Sequence, residues 1–148
     1  MRLIVFAVLA ISTLASAAQA GDWRLAVVGR SSGLAVDLST LVVDGTKTTA
    51  WTAVVLSSTV ADFDYALVRY EYDCRRRTSA KLVSIYYDAS GQMTNRNDTP
   101  MAAVAIAPDS NEVFLMDAAC FGKFQVDDPE GWDNARTLLH DYRGTSPE

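Results

Sequence analysis

The ten residues Tyr65-Ala-Leu-Val-Arg-Tyr-Glu-Tyr-Asp-Cys74 carry the clearest structural signal in the chain. From position 66 onward every second residue is apolar or Cys74, while Arg69, Glu71 and Asp73 stand between them. Successive side chains of a β-strand point to opposite faces of its sheet, so this spacing predicts a strand with one buried face. Cys74 is therefore predicted to point into the core.

The segments around this strand show the same alternation, interrupted by turn residues and, directly before the strand, by a predicted break at Asp62 to Asp64. Helical periodicity is missing from residues 23–88, which indicates an antiparallel sheet. Residues 92–100 are polar and predict no regular element. Residues 101–107 fit either a short last strand or an extended lead-in to a helix. The remaining strands are predicted at 23–28, 34–38, 48–56 and 79–88.

A helix is predicted from Ser110 to Phe121, ended by the glycine that follows. Asp109 and Glu112 have capping-box spacing, in which each side chain satisfies a backbone N–H at the start of the helix. Apolar residues and Cys120 recur at spacings of three and four, so Cys120 lies on the stripe expected to face the sheet.

The chain has two cysteines, Cys74 and Cys120, and both are predicted to face the same core. This convergence predicts a disulfide between sheet and helix. Closing so long a loop contributes on the order of 4 kcal/mol to stability in the chain-entropy model. A redox-active pair is the competing interpretation, which the absence of C-x-x-C spacing disfavours.

The first twenty residues have the pattern of a cleavable export signal. A basic start is followed by the apolar run Leu3 to Ile11 and by Ala18-Gln19-Ala20, which predicts a signal peptide at 1–20 with cleavage after Ala20. The apolar run is short for a bilayer core of about 30 Å. Gly21 would follow the cut, and no lipid-attachment cysteine is close. We expect a periplasmic or secreted product with a domain at 21–122 and no membrane span after cleavage.

The last part of the chain, residues 123–148, is predicted to be an extension with a second helix. Its apolar residues repeat at helical spacing after an acidic turn at 127–131. Three uses of this stripe remain open: docking on the domain, contact with a second subunit, or a mobile extension. The stripe consists of Trp132, Ala135, Leu138, Leu139 and Tyr142.

Composition and residue types exclude several functions. A formal net charge of −5 argues against a dedicated nucleic-acid binder. His140 is the only histidine, so no Ser-His-Asp set is apparent, and paired cysteines would leave no metal cluster. No Gly-rich phosphate loop is present. We therefore expect no catalytic residues, no metal and no cofactor. The alternative is calcium binding or acid–base chemistry by carboxylates alone, at Asp37, Asp44, Asp62 and Asp64, although their spacing fits no calcium loop and turn or capping roles explain them.

Two groups of residues are candidates for an interaction surface. Arg75, Arg76 and Arg77, with Lys81 nearby, could attract an anionic partner, although a solvated turn explains them too. Tyr86 and Tyr87 could offer aromatic contact area, although ordinary sheet packing is the alternative and the two are expected to point opposite ways.

A series of short motifs resembles the bacterial surface-adhesin protein E family over about residues 22–121. The resemblance implies a sheet of about six antiparallel strands, a C-terminal helix tied to its concave face by the disulfide, and a tendency to dimerise. It also implies binding of host proteins, although the missing lipid-attachment cysteine and the 123–148 extension depart from the family. The motifs are Asp22-Trp23, Val36-Asp37, Trp51, Tyr72-Asp73-Cys74 with the following arginines, Tyr86 to Gly91, Pro108-Asp109-Ser110 and Ala119-Cys120.

The sequence thus predicts an α+β fold, with an antiparallel sheet of about six strands and a helix linked to one face by a disulfide. The predicted function is an exported, non-enzymatic binding protein of the bacterial envelope. Its partner would be an envelope or extracellular protein, including a host protein by resemblance, with a homodimer as an option. The alternative is a periplasmic small-molecule carrier or hydrolase-like protein with a pocket between sheet and helix.

Overall fold

The computed structural model describes residues 20–60, 62–127 and 131–145. The predicted signal peptide lies almost entirely outside these residues. The described elements, besides a 3-10 turn at Leu38–Thr40, are β1 (Trp23–Val28), β2 (Ser32–Asp37), β3 (Val42–Asp44), β4 (Lys47–Val60), β5 (Phe63–Asp73), β6 (Thr78–Tyr87), β7 (Met93–Asn97), β8 (Val104–Ala105), α1 (Asn111–Phe121) and α2 (Ala135–Thr145).

The strands form one antiparallel sheet, and this confirms the predicted fold class. Six strands make a continuous path in the order β1-β2-β4-β5-β6-β7, while β3 pairs with β4 and β8 pairs with β6. The predicted break at Asp62–Asp64 is narrower than expected, because β4 continues to Val60 and β5 begins at Phe63. Asp64 is buried in a strand, where Thr59 and Arg143 hydrogen-bond its carboxylate.

Helix α1 packs on one face of the sheet. Its fully buried Met116 belongs to a core cluster with Val36 and Tyr72, and the three residues come from α1, β2 and β5. The predicted disulfide is present, with the Cα atoms of Cys74 and Cys120 separated by 5.8 Å, a usual distance for this bond. The bond thus fixes the end of α1 to the end of β5.

The capping box predicted at the start of α1 is wrong. Ser110 is the N-cap residue, and its side chain makes no capping hydrogen bond. Its hydroxyl instead donates to the carbonyl of Ala107, closing the turn that precedes the helix. Glu112 is consequently not used to cap the helix, and its carboxylate lies against the sheet instead.

Helix α2 packs on the opposite face. Leu138, Leu139 and Tyr142 are buried in a second cluster that includes Ala35 and Val55. Ala35 lies next to Val36, which contacts the α1 cluster, and neighbouring strand residues point to opposite faces. Of the three uses left open for the tail, the structure shows docking on its own domain.

The tail also covers the β1 edge of the sheet. Trp132 is not part of α2, which begins at Ala135, but forms a β-bridge with Trp23 through two backbone hydrogen bonds of 3.0 and 3.1 Å. The backbone N–H of Gln125 donates to the carbonyl of Ala26 at 2.9 Å. This edge therefore has no room for another strand at these positions.

Among the described residues, no helix packs on the opposite end of the sheet, at β7. Every residue of β7 is exposed, and Met93, Met101 and Val104 are more than half accessible along this edge. Residues 92–100 were predicted to form no element, because a strand exposed on both faces shows no hydrophobic alternation. Within the described ranges, no helix is long and apolar enough to cross a membrane.

Candidate functional site

The predicted basic cluster lies in the turn between β5 and β6. Arg75, Arg76 and Arg77 are exposed, and two of them face carboxylates of the same chain. Arg76 lies 3.9 Å from Asp73, and Arg77 lies 3.7 Å from Asp117 on α1. Exposed pairs of this kind contribute at most about 1 kcal/mol. Arg77 also adopts a left-handed backbone conformation, with a φ of 54°, so this turn has a local structural role.

The other predicted interaction residues, Lys81, Tyr86 and Tyr87, occupy three different environments along β6. Lys81 borders a cleft beside α1, and Tyr86 borders a pocket near β7. Tyr87 points to the other face, where its ring stacks on Tyr65 with centroids 4.9 Å apart. A strand as long as β6 spans about 30 Å. The six predicted residues therefore form no single surface.

A pocket of about 330 Å³ lies at the uncovered end of the sheet. We call it the aromatic–amide pocket. Its rings are those of Phe63 and Tyr86, with centroids 5.0 Å apart and planes inclined at 70°. Two rings inclined in this way make an apolar corner. The pocket is lined by Asp62, Phe63, Tyr86, Thr94, Asn95 and Asn97.

Two asparagine amides of this pocket are held by the backbone of β7 and the residues after it. Asn95 Oδ1 accepts from the Arg96 N–H at 2.7 Å, and Asn97 Oδ1 accepts from the Thr99 N–H at 2.9 Å. An asparagine side chain has one acceptor oxygen and two N–H donors. The oxygens are thus engaged, and within the described chain the NH₂ donors of both amides remain available to a ligand.

The net charge of the described residues that line the pocket is slightly negative. The Arg96 guanidinium is held by Asp98, with Nε 2.8 Å from each carboxylate oxygen, and this contact raises the pKa of Arg96 and lowers that of Asp98. Arg96 alternates with Asn95 and Asn97 along β7, so its side chain lies on the other face of the strand and does not line the pocket. Of the described residues that line the pocket, Asp62 alone carries a formal charge.

A second concavity, of about 220 Å³, lies between the sheet and the first turn of α1. We call it the Glu112 cleft. The segment before α1 forms one wall, with Met101, Ala102 and Val104. Tyr70, Ser79, Lys81 and Glu112 supply its polar side chains. The alternative function, a small-molecule carrier or hydrolase-like protein, predicted a pocket at this position between the sheet and the helix.

Polar groups near the Glu112 cleft are buried without partners. Within the described residues, neither Glu112 Oε1 nor the Tyr72 hydroxyl has a hydrogen-bond partner. Burial, with a smaller contribution from the Glu112 carboxylate, raises the pKa of Tyr70 to about 12 and raises that of Tyr72 well above its usual value. Both phenols are therefore neutral at physiological pH, so they can donate hydrogen bonds.

No group of three or more potential metal-ligating side chains occurs in the part of the chain that the structure describes. His140 is exposed on α2, away from both concavities. The arrangement of both sites suits reversible binding through hydrogen bonds and aromatic contact.

Sequence reasoning missed most of the residues that line these sites. Phe63 and Asp62 lie in the segment that was predicted to interrupt the strands. Asn95 and Asn97 lie in a segment that was predicted to have no regular secondary structure. The two asparagines are two residues apart, which is the spacing of neighbours on one face of a strand. Recognising β7 as a strand would therefore have placed their side chains on the same face. Their meeting with Tyr86 depends on the register between β6 and β7, in which Tyr86 lies opposite Asn95.

No curated protein matches this chain. Among solved structures, crystal form II of Haemophilus influenzae protein E is similar over 61% of this chain and 83% of that one, with 12% identity and a TM-score of 0.48. The family model for surface-adhesin protein E matches residues 23–121, from the start of β1 to the end of α1. The chain therefore belongs to the surface-adhesin protein E family.

Proposed function

We propose that this chain is an exported, non-enzymatic binding protein of the bacterial envelope, adhesin-like in function, and that it contacts its partner through the uncovered end of the sheet. The binding surface consists of the aromatic–amide pocket and the exposed strand β7. The partner is an envelope or extracellular protein, and the family name makes a host-surface protein the leading choice. The export signal predicted from the sequence at residues 1–20 supports a periplasmic or secreted location.

The observation that carries this proposal is the uneven covering of the sheet. Helix α1 covers one face over β1, β2 and β4, helix α2 covers the other over β4 and β5, and the tail pairs with the β1 edge. In the part of the chain that the structure describes, neither helix makes a comparable set of contacts with β6 or β7, and the aromatic–amide pocket opens there. Aromatic rings beside oriented polar groups are typical of binding surfaces.

Site-specific photocrosslinking tests the proposed surface. A photoreactive amino acid is placed at position 95 in β7 or, as the control, at position 43, where Val43 is 71% exposed on β3. We expect a discrete crosslinked product from position 95 in cells or on host matrix, and none from position 43. Equal products from both positions would contradict the proposal.

Self-association, where it occurs, is proposed to use the same end of the sheet, since the tail occupies the β1 edge. A crosslink from position 95 to a second copy of the chain would assign this surface to a homodimer. The Arg96 and Thr99 N–H groups are already satisfied by asparagine side chains, and Pro100 has no N–H. These features disfavour the pairing of another strand with this edge through backbone hydrogen bonds.

The export step has its own test. The protein recovered from the periplasm or the medium is expected to begin at Gly21, as shown by intact mass. Recovery of the full-length chain from the cytoplasm alone would contradict an exported function.

A small-molecule carrier is the second candidate, supported by the unpartnered Glu112 oxygen and Tyr72 hydroxyl. Buried polar groups without partners are costly, so a ligand or ordered water is expected to satisfy them. Native mass spectrometry of the protein purified from its own periplasm would show a bound small molecule that Glu112→Gln loses. A ligand-free mass for the wild-type protein would contradict the carrier function.

A further inference from the structure

We infer that the aromatic–amide pocket binds a neutral pyranose residue of a glycan. This inference rests on the proposed function, because it names the ligand class for the same surface. A glycan carried by an envelope or host protein would then be the part of the partner that enters the pocket.

The shape of the pocket fits one sugar ring. Its volume of about 330 Å³ is at the lower end of the range for small-molecule sites. The rings of Phe63 and Tyr86, inclined at 70°, form its apolar wall. One face of a pyranose carries mainly C–H groups, which pack against an aromatic face, while its hydroxyls point outward from the ring edge.

The polar groups of the pocket match those hydroxyls. The NH₂ groups of Asn95 and Asn97 supply donors in orientations fixed by their backbone contacts. Asp62 supplies acceptors, and the Thr94 hydroxyl supplies both functions. A sugar hydroxyl also donates and accepts, so adjacent hydroxyls can bridge an amide and a carboxylate.

The charge of the site selects against anionic sugars. Among the described residues that line the pocket only Asp62 is charged, and Arg96, which points to the other face of β7, pairs with Asp98. A phosphate or carboxylate on the ligand would therefore meet a like charge and no free cation in the pocket. Lys81 lies near the other end of β6, and the three arginines lie in the turn before that strand. None of them lines the pocket.

The expected affinity for a single sugar is low. A hexose has about 12 non-hydrogen atoms, and at the usual efficiency of small ligands this gives a Kd of about 1 mM. Several copies on a glycan-bearing surface would raise the apparent affinity without new contacts. The test must therefore detect millimolar binding.

The experiment is an NMR titration of ¹⁵N-labelled mature protein, residues 21–148, with methyl β-galactoside, methyl α-mannoside and methyl β-N-acetylglucosaminide. We expect saturable shifts of the Asn95 and Asn97 side-chain amides with at least one of them. Asn95→Asp removes the donor but keeps an oxygen for the Arg96 N–H, and we expect it to weaken binding about tenfold. Asn134→Asp is the matched control, because its Oδ1 also accepts a backbone N–H but lies at α2.

Three outcomes would overturn the inference: no saturable shift with any of the three glycosides, equal weakening by Asn134→Asp, or binding of glucose 6-phosphate as tight as that of the neutral sugars. An unchanged spectrum elsewhere in Asn95→Asp shows that the variant is folded. If the sugar titration fails while position 95 still crosslinks to a partner, the sugar inference falls and the proposed function stands.

Discussion

Tyr86 and Asn95 lie directly opposite each other on strands β6 and β7, so a phenol ring and an amide stand side by side on one face of the sheet. Directly opposed residues have Cβ atoms about 5 Å apart. The aromatic–amide pocket is thus built by strand register, from two segments of very different composition. Tyr87, the next residue, points to the other face and stacks on Tyr65.

The disulfide is expected to contribute strongly to stability. Replacing both cysteines, Cys74→Ser with Cys120→Ser, removes the link between β5 and α1 and should lower the free energy of unfolding by up to about 4 kcal/mol. For a domain of this size we expect a fall in Tm of roughly 10–15 °C. Thermal unfolding followed by circular dichroism measures it, with intact mass under non-reducing conditions confirming the bond in the wild type. A change below 2 °C would contradict a structural role.

Helix α2 is expected to be an integral part of the fold. Leu138 is fully buried against the sheet, so Leu138→Ala should cost about 2–5 kcal/mol. His140→Ala is the control, because that side chain is exposed on the same helix. Chemical denaturation of the two variants gives the comparison. Equal stability of both variants would mean that α2 does not pack as described.

Asp64 is expected to make the free energy of unfolding depend on pH in the acid range. Hydrogen bonds from Thr59, Arg143 and the Ala89 N–H lower its pKa below the usual value in the folded state. A group with a lowered folded pKa stabilises above its unfolded pKa, near 3.8, and this contribution is lost as the pH falls through the folded pKa.

The test compares Asp64→Asn with the wild type by urea denaturation from pH 7 to pH 2.5. The side chain of Asp64 is 7% exposed and that of Arg143 is 25% exposed, so we expect a loss of about 2 kcal/mol at neutral pH, less than for a fully buried pair. The difference should shrink below about pH 4. Asp44→Asn, at an exposed position, serves as the control. A difference that stays constant over the whole range would contradict the assignment.

Tyr70 is expected to ionise only at high pH, and its ionisation should lower the free energy of unfolding at alkaline pH. Burial first, and the Glu112 carboxylate second, raise its pKa to about 12. A raised folded pKa stabilises below the unfolded pKa near 10, and this contribution is lost between pH 10 and 12. Ultraviolet titration of the wild type and Tyr70→Phe identifies the step. Glu112→Gln should lower this pKa but leave it above 10, and no change would contradict the proximity of the two groups.

The sequence predicted those parts of the fold in which one strand face is buried. The alternation from Tyr65 to Cys74 is visible because every second side chain enters the α1 core, and the phases of Cys74 and Cys120 were sufficient to predict their bond. Strand β7 was missed because both of its faces are exposed, which leaves no alternation to detect.

The use of the tail could not be predicted for a different reason. The stripe from Ala135 to Tyr142 has the same pattern whether it packs on its own sheet or on a second subunit. Only tertiary contacts, such as the Tyr142 hydroxyl donating to the Gly29 carbonyl at 2.9 Å, distinguish the two. The pocket likewise depends on pairing between strands, since Asn95 and Tyr86 are brought together by register.

The most direct test of the binding surface compares two neighbouring tyrosines. Partner crosslinking from position 95 is measured in Tyr86→Ala and Tyr87→Ala proteins whose Tm values are recorded alongside. Tyr86 lines the pocket, while Tyr87 packs against the α2 cluster on the opposite face. Our account predicts at least a fivefold loss of crosslinking in Tyr86→Ala and little loss in Tyr87→Ala, even where the latter is less stable. Equal crosslinking in the two variants would contradict it.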